Sequence, residues 1–329
     1  MSLKLTVRVD AWSYIAPFRI TGYVFSEAEV VVVTLDDGDL RARGEACGVY
    51  YHGETPDSIV RDIEAVRGQV EDGIDRESLR LLLPPGGARN ALDCALWDLE
   101  AKRAGKPVWE LAGLMRPKPL LTTFTVSAGP AAEMARAAKA YTTARAVKIK
   151  LTPDDPAGCV AAVRAARPDV WLGVDANQGF TRSALEKLIP VFRQCDVGLI
   201  EQPFPVGHDD ELDGLQCPIP IAADESVQKF SDLAALAQHY DVINIKLDKC
   251  GGLTEGLAMA REAQRLGLKV MVGCMSGTSL AMAPAFLLGQ ICDFVDLDAP
   301  TFLASDREHP ALYENGELFC PEQLWGGPA

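Results

Sequence analysis

Alternating apolar and polar positions at the start of the chain predict antiparallel strands. Residues 3–9 alternate as a half-buried strand does. Residues 28–46 predict a hairpin, with a turn at Gly38 between two apolar runs. Helical periodicity follows in three stretches, near residues 56–72, 76–82 and 88–104. Because Gly105 ends the last helix, residues 1 to about 115 are predicted to form an α+β unit.

After Pro117 the pattern changes to short β-rich apolar runs separated by stretches with helical periodicity. The apolar runs occupy residues 120–126, 146–150, 170–175, 197–201, 218–224, 242–246, 269–273 and 294–298. Strands that alternate with helices predict βαβ units and a parallel sheet, and eight such strands predict a closed α/β barrel. An open doubly wound sheet is the alternative, but the glycine-rich GxGxxG loop that it would favour does not follow an early strand.

Ionisable residues end most of these apolar runs. In chain order they are Lys148, Lys150, Asp175, Glu201, Asp224, Lys246, Asp296 and Asp298. A single charge after a strand is commonly a solvated loop residue. The ordered series is different, because the carboxyl ends of all barrel strands lie at one mouth and catalytic groups collect there. Side chains alternate along a strand, so Lys148 and Lys150 are expected to face the same side.

This order of charges predicts a metal-assisted proton transfer. Three carboxylates from consecutive strands repel one another unless a hard divalent cation neutralises them, and Mg²⁺, for which Mn²⁺ can substitute, leaves positions for water and substrate. The cation would acidify the carbon next to a bound carboxylate and stabilise an enediolate. Lysines flank the carboxylates in strand order. One lysine could remove a proton from one face while another returns it on the opposite face, with inversion.

Several motifs resemble those of the enolase superfamily, and more narrowly of its muconate-lactonizing subgroup. They are KIK at 148–150, VDAN at 174–177, IEQP at 200–203, ADES at 223–226 and NIKLDKCGG at 244–252. The DLDAP segment with Asp296 and Asp298, together with VGCMSGTSL at 272–280, resembles the dipeptide epimerases of that subgroup. The similarity extends over essentially the whole chain, including the helical segment 88–105.

The resemblance implies a modified (β/α)8 TIM-type barrel of (β/α)7β form with an α+β capping domain. The expected divisions are a capping domain at 1–117, a catalytic barrel at 118–305 and a C-terminal segment at 306–329 that returns to the cap. The resemblance also implies a Mg²⁺-dependent dipeptide epimerase that acts on an L-Ala-D/L-Glu or related L-Ala-X dipeptide. Subgroup relatives with other chemistry are the alternative, namely N-acylamino acid racemase, o-succinylbenzoate synthase and cycloisomerase. A non-catalytic binding barrel is a further alternative.

The resemblance also implies a role for each charged residue. Asp175, Glu201 and Asp224 would bind Mg²⁺, and Lys150 and Lys246 would be the two acid/base catalysts. Lys148 would hold the substrate carboxylate, while Asp296 and Asp298 would bind the α-ammonium group of a dipeptide, a cation that needs paired acceptors. Lys249 competes with Lys246 in the KLDK segment, but strand alternation and the family motif favour Lys246.

Substrate specificity is expected to depend on the cap. Residues 17–29 are expected to form a loop over the barrel mouth, where relatives that use Glu-containing dipeptides tend to carry a central arginine. Arg19 is the only arginine here and could bind a side-chain carboxylate, whereas Tyr23 and Phe25 would favour an apolar side chain. A second cap loop offers two more candidate aromatic residues, Tyr50 and Tyr51. Three residues after the seventh strand are also predicted to line the pocket, Cys274, Met275 and Ser276.

Composition excludes several other classes of protein. A net charge of −14 argues against a nucleic-acid partner, which would require a basic patch. Nine scattered cysteines without CxxC pairs predict free thiols in a reducing cytoplasm. The alternating N-terminus is not a signal peptide, and no apolar run is long enough to span a membrane. None of the four histidines ends a strand, which argues against a histidine base. The sequence leaves open whether the chain forms a homo-oligomer.

Overall fold

The N-terminal part of the chain is an antiparallel sheet covered by helices. A computed structural model describes residues 3–20 and 23–329; the side chains of residues 18–20 and 23 lie outside the description. Strands β1, β2 and β3 pair in chain order, and five helices follow. Their bounds are Lys4–Ile20 (β1), Tyr23–Asp37 (β2), Leu40–Ala46 (β3), Pro56–Ala65 (α1), Arg67–Glu71 (α2), Arg76–Leu82 (α3), Gly87–Ala104 (α4) and Val108–Leu111 (α5).

The run of four valines in β2 is buried on both faces of the sheet. Val31 and Val33 pack into the core between the sheet and the cap helices. Val30 and Val32 belong to the core that continues into the barrel. Because side chains alternate along a strand, one apolar run supplies both cores and fastens the cap to the barrel.

Helix α4 packs directly on β3. Fourteen of its eighteen residues are buried. Gly44 makes the close approach possible, because a Cβ atom there would lie 2.1 Å from the carbonyl oxygen of Ala91. The helix then ends at Gly105, which adopts the left-handed conformation expected of a C-terminal glycine.

The hairpin between β1 and β2 differs from the sequence-based expectation. Residues 17–29 were expected to form a loop, but β1 extends to Ile20 and β2 begins at Tyr23, with Phe18 opposite Phe25. Alternation of apolar and polar side chains in this segment is compatible with a strand, and a long partner satisfies the backbone hydrogen bonds. Residues 17–20 and 23–29 are therefore strand.

The remainder of the chain forms an eight-stranded parallel sheet, β5 to β12 in consecutive order. After the short strand β4 (Leu120–Leu121), the elements are Phe124–Val126 (β5), Ala131–Ala140 (α6), Ala146–Lys150 (β6), Pro156–Ala166 (α7), Trp171–Asp175 (β7), Arg182–Gln194 (α8), Val197–Glu201 (β8), Ile221–Ala223 (β9), Leu233–Leu236 (α9), Val242–Lys246 (β10), Leu247–Cys250 (α10), Leu253–Arg265 (α11), Lys269–Gly273 (β11), Ser279–Gly289 (α12) and Phe294–Asp296 (β12).

The sheet curls until its two edges meet. The N–H of Thr123, beside β5, donates to the carbonyl oxygen of Val295 in β12 at 3.0 Å. This is the nearly closed barrel with an N-terminal cap that the strand pattern and the resemblance predicted. One connection is irregular, since β8 and β9 are joined through a single 3-10 turn at Asp209–Leu212 rather than an α-helix.

The C-terminal segment contacts both parts of the molecule. Strands Leu312–Glu314 (β13) and Glu317–Phe319 (β14) form a small sheet with β4. Beyond them, the indole N–H of Trp325 donates to the carbonyl oxygens of Arg43 and Cys94. The N–H of Gly326 donates to Asp98 at 2.9 Å. No helix among the described residues is long and apolar enough to cross a membrane.

Candidate active site

The carboxyl ends of the barrel strands and the cap enclose a cavity of about 250 Å³. Strand ends at this mouth supply six of its charged lining residues, which are Lys148, Lys150, Asp224, Lys246, Asp296 and Asp298. In each strand the neighbouring apolar side chain, such as Ile149 or Ile245, packs into the barrel core. The alternation within each strand therefore places the charged groups at the mouth, with hydrophobic support behind them.

Three carboxylates at the centre of the mouth form a compact group. One oxygen from each of Asp175, Glu201 and Asp224 lies within 4.8 Å of the others, and all three residues are buried. Burial, followed by the charge of Asp175, raises the pKa of Glu201 to about 7. Adjacent strands β7, β8 and β9 position these groups, so the sheet register itself determines their spacing.

This group fits a divalent cation. All its donors are carboxylate oxygens, which hard cations such as Mg²⁺ prefer. Two buried oxygens close by, Oε2 of Glu225 and Oδ1 of Asn177, have no hydrogen-bond partner among the described residues. The N–H of Asn177 donates to Asp175 at 2.9 Å, so this acceptor lies beside the carboxylates. Unpaired buried acceptors are costly, and water molecules around a cation would satisfy them.

Two lysines lie on either side of the carboxylates in the order of the sheet. Nζ of Lys150 on β6 donates to Asp175 at 2.5 Å. Nζ of Lys246, which ends β10, donates to Asp224 at 2.8 Å. Burial lowers the pKa of Lys246, but the carboxylates of Asp224 and Glu201 outweigh burial and raise it above its ordinary value. A cation among the carboxylates would offset these charges and lower the pKa of Lys246.

Lys148 lies deeper in the barrel than Lys150. Its Nζ donates to Glu201 at 3.1 Å and also to Asp296. Burial opposes the charged form, yet Asp296, Glu201 and Asp175 together raise the pKa of Lys148 well above its ordinary value. These neighbours favour the ammonium form of Lys148, which suits contact with an anionic substrate oxygen.

Lys249 occupies a different position from Lys246. It lies in α10, and its Nζ donates to the carbonyl oxygen and the carboxylate of Asp224, at 2.5 and 2.6 Å. A third bond, 3.0 Å long, reaches the carbonyl oxygen of Asn244. Lys249 does not belong to the cavity lining, whereas Lys246 does. The geometry therefore gives Lys249 a supporting position behind Asp224.

The last strand contributes a second acidic group. Asp296 accepts from the hydroxyl of Thr123 and from Lys148. Asp298 accepts from the N–H of Thr125 at 2.6 Å. None of the ion pairs between described residues includes Asp298, and burial, followed by the charge of Asp296, raises its pKa to about 7. A substrate cation beside Asp298 would remove this penalty.

The cap closes the cavity with aromatic side chains. Phe25 of β2 and two tyrosines from the 3-10 turn Tyr50–His52, Tyr50 and Tyr51, line it. Two other residues predicted for the cap, Arg19 and Tyr23, have side chains outside the described part of the chain. Three residues after β11, namely Cys274, Met275 and Ser276, also line the cavity. Burial raises the pKa of the Cys274 thiol, which keeps it protonated and argues against a nucleophile.

Sequence reasoning missed several lining residues. Tyr14 of β1 forms a 2.5 Å hydrogen bond with Ser276, and Thr125 lies within β5. Asn177 and Glu225 belong to motifs that were recognised, VDAN and ADES, so their position next to the carboxylates was a usable signal. Tyr14 had no such signal, because only the fold of the hairpin brings β1 over the barrel mouth.

Fold and site together define a capped β/α barrel with a carboxylate triad between two lysines. The chain belongs to the mandelate racemase/muconate lactonizing enzyme family. Residues 2–113 match the N-terminal domain of that family, and residues 131–323 match the enolase C-terminal domain-like family.

The similar proteins include epimerases, racemases and solved dipeptide complexes. The chain is 41% identical to L-Ala-D/L-Glu epimerase from Escherichia coli K12, over 95% of this chain and 99% of the relative. It is 38% identical to N-acetyl-D-glutamate racemase from a Pseudoalteromonas species, over 91% of this chain and 95% of the relative.

Two solved structures illustrate the similarity in fold. One is an Agrobacterium tumefaciens enolase family member with homology to dipeptide epimerases, solved with sodium and L-Ala-L-Glu. It has a TM-score of 0.96 and 41% identity, over 98% of this chain and 100% of that chain. The other is dipeptide epimerase from Methylococcus capsulatus with Mg and L-Arg-D-Lys, with a TM-score of 0.90 and 30% identity over 98% of each chain.

Proposed function

We propose that this protein is a Mg²⁺-dependent dipeptide epimerase that inverts the α-carbon of the C-terminal residue of an L-Ala-X dipeptide. The observation that carries the proposal is the combination of two lysines flanking a carboxylate triad with a carboxylate after the last barrel strand, Asp298, that has no ion pair among the described residues. The lysines supply a group for each face of a carbon, and Asp298 supplies an acceptor for an α-ammonium group.

Each charged residue has a role in this reaction. Asp175, Glu201 and Asp224 would hold Mg²⁺, which when bound withdraws charge from the substrate carboxylate and acidifies the adjacent C–H bond. Lys150 or Lys246 accepts the α-proton on one face, and the other lysine donates a proton on the opposite face. The ammonium group of Lys148 stabilises the charge that develops on the carboxylate oxygens of the enediolate.

Asp296 and Asp298 would orient the dipeptide by its α-ammonium group. Asp296 already binds Lys148 and Thr123, so Asp298 offers the free acceptor capacity. A buried carboxylate that lacks a cation is costly, and a substrate ammonium group would compensate it. A substrate without an α-ammonium group would leave this cost in place.

N-acylamino acid racemisation is the second candidate, and the similarity to N-acetyl-D-glutamate racemase favours it. The two candidates share the triad and the lysines but differ at Asp298, because an acylated nitrogen carries no charge. The proposed setting is a reducing cytoplasm, in which the nine free cysteines would persist.

Deuterium exchange in D₂O tests the proposal. The Mg²⁺-loaded protein is incubated with L-Ala-X dipeptides and, in parallel, with the N-acetyl derivatives of the same X residues, and the α-proton of X is followed by NMR. Exchange with inversion in the free dipeptides supports the epimerase. Exchange confined to the N-acetyl compounds would instead identify an acylamino acid racemase, and no exchange with either set would favour a non-catalytic barrel.

A further inference from the structure

The cap side of the cavity is an aromatic cluster, defined here as Phe25, Tyr50 and Tyr51. The rings of Phe25 and Tyr50 meet edge to face, with centroids 5.4 Å apart. Tyr50 and Tyr51 have the same arrangement at 5.1 Å. Edge-to-face contact is favourable between aromatic rings, so the cluster offers a preformed apolar surface rather than three independent side chains.

The cluster lies next to the reacting groups. Its three rings line the same cavity as Lys150, Asp224 and Lys246. A side chain on a carbon held between Lys150 and Lys246 would therefore extend from the barrel mouth towards these rings.

The described lining offers no spare cation for a side-chain carboxylate. Its only cations within the described part of the chain are Lys148, Lys150 and Lys246, and each already pairs with a carboxylate. The cap side instead contributes two exposed carboxylates, Glu27 and Glu29. An acidic substrate side chain would lose solvent beside like charges, which is unfavourable without a compensating partner.

We propose that the aromatic cluster selects dipeptides whose C-terminal residue carries an uncharged aromatic or large apolar side chain. The inference rests on the proposed function and specifies its substrate class. It separates this chain from relatives named for Glu-containing dipeptides, because ring contact replaces charge pairing as the source of side-chain affinity.

A four-dipeptide comparison tests the preference. L-Ala-L-Phe, L-Ala-L-Leu, L-Ala-L-Lys and L-Ala-L-Glu are compared by kcat/KM for epimerisation and by calorimetric binding to the Mg²⁺-loaded protein. We expect Phe and Leu to exceed Glu by about tenfold or more, the scale of discrimination that apolar pocket contacts provide. A Glu or Lys dipeptide that performs as well as Phe overturns the inference.

The calorimetric measurement separates this inference from the proposed function. If no dipeptide exchanges its α-proton, the epimerase proposal fails, while the order of binding affinities still tests the side-chain preference. If exchange occurs but the Glu dipeptide is favoured, the epimerase proposal stands and only the preference is wrong.

Variants of β2 assign the preference to the cluster. Phe25→Ala is expected to raise KM for L-Ala-L-Phe by about tenfold more than KM for L-Ala-L-Ala, since the shorter alanine side chain makes less contact with the rings. Phe25→Leu should restore most of the affinity. Val24→Ala is the matched control, because Val24 is 59% exposed and adjacent in the same strand. Equal effects of Phe25→Ala on both dipeptides would overturn the assignment.

Arg19 offers a competing explanation of side-chain recognition, because an arginine could bind a substrate side-chain carboxylate. Its side chain lies outside the described part of the chain. Under the present inference, Arg19→Ala leaves the order of the four dipeptides unchanged. A loss confined to L-Ala-L-Glu, in a protein that otherwise prefers it, would transfer side-chain recognition to Arg19 and overturn the role of the aromatic cluster.

Discussion

The two faces of the cavity are built on different physical principles. On the barrel face, charged side chains at consecutive strand ends hold one another, as Lys150 holds Asp175 at 2.5 Å and Lys246 holds Asp224 at 2.8 Å. On the cap face, aromatic rings contact one another without charge, at centroid distances of 5.4 and 5.1 Å. The barrel face is therefore rigid and interdependent, whereas the cap face can change one ring at a time. Reaction chemistry and substrate selection are separable in such a molecule.

Replacing either lysine that flanks the carboxylates should have the largest effect on the rate of epimerisation, because it removes a charged group from the barrel face. Lys150→Met and Lys246→Met keep most of the side-chain volume but remove the proton carrier from one side. We expect epimerisation to fall by about a thousandfold or more, within the range for loss of a general acid or base. Each variant should retain α-proton exchange for one epimer only, because the remaining lysine can still remove and return a proton on its own face.

The measurement for the lysine variants is NMR in D₂O, which separates exchange from inversion. Calorimetry of Mg²⁺ binding serves as the control for an intact carboxylate triad. Inversion that persists in either variant at a rate near that of the unaltered protein would contradict the two-lysine arrangement.

Asp298→Asn should sharpen the comparison by altering substrate orientation on the barrel face without removing the proton carriers. The N–H of Thr125 still finds an acceptor in the asparagine side chain. Only the charge is lost, so KM for free dipeptides should rise by about tenfold to a hundredfold, the scale of a charge-assisted hydrogen bond. N-acetyl derivatives should be affected far less. A uniform loss for both kinds of substrate would contradict the ammonium-binding role.

The difference between the faces also explains what could be predicted from the sequence. Strand alternation places four charged residues at the barrel mouth, namely Lys148, Lys150, Asp175 and Asp296. Side chains alternate with a period of two along each strand of a parallel barrel, which leaves little freedom in where each one points. The cap contacts had no comparable signal. Tyr14 meets Ser276 across 262 residues of sequence. Such pairs depend on how the hairpin lies over the barrel, which local patterns do not specify.

The segment 17–29 illustrates the same point. The family resemblance predicted a loop there, but residues 17–20 belong to β1 and residues 23–29 belong to β2. Pairing between these two strands outweighed the local tendency.

Glu54→Gln should loosen the cap face and leave the barrel face intact. Oε2 of Glu54 accepts from the N–H of Val49 at 2.7 Å, and Oε1 accepts from the N–H of Gly87 at 3.0 Å. These bonds hold the 3-10 turn Tyr50–His52 against the start of α4. A glutamine amide can satisfy only one of the two donors, so the turn should become less ordered and KM for an apolar dipeptide should rise several-fold.

Steady-state kinetics at saturating Mg²⁺ test the Glu54 variant. We expect kcat to change by less than KM, because the two lysines that we propose as proton carriers lie on the other face. Asp57→Asn, an exposed change of the same charge on α1, is the matched control. A fall in kcat with unchanged KM would show that the turn contributes to chemistry and not to binding.

Asp248 joins the two faces, and its replacement should have the smallest effect on catalysis and act on stability instead. Its Oδ1 accepts from the N–H groups of Cys47 and Gly48 in the cap, at 3.0 and 3.1 Å. Burial raises the pKa of Asp248 to about 7, although the Gly48 bond favours the charged form. The folded protein therefore binds a proton here that the unfolded chain releases at about pH 4.

The sign of the pH effect follows from this difference. Between about pH 4 and pH 7 the folded state holds more protons, so the contribution of Asp248 is fully present at low pH and is lost as the pH rises through about 7. Asp248→Asn keeps an acceptor oxygen but does not titrate. In metal-free urea unfolding, the free energy of unfolding of the unaltered protein should decline relative to the variant by on the order of 1 kcal/mol per pH unit in this range. Groups common to both proteins, such as Glu201 and Asp298, contribute equally and cancel in the difference. Parallel pH profiles of the two proteins would therefore mean that Asp248 does not titrate in this range.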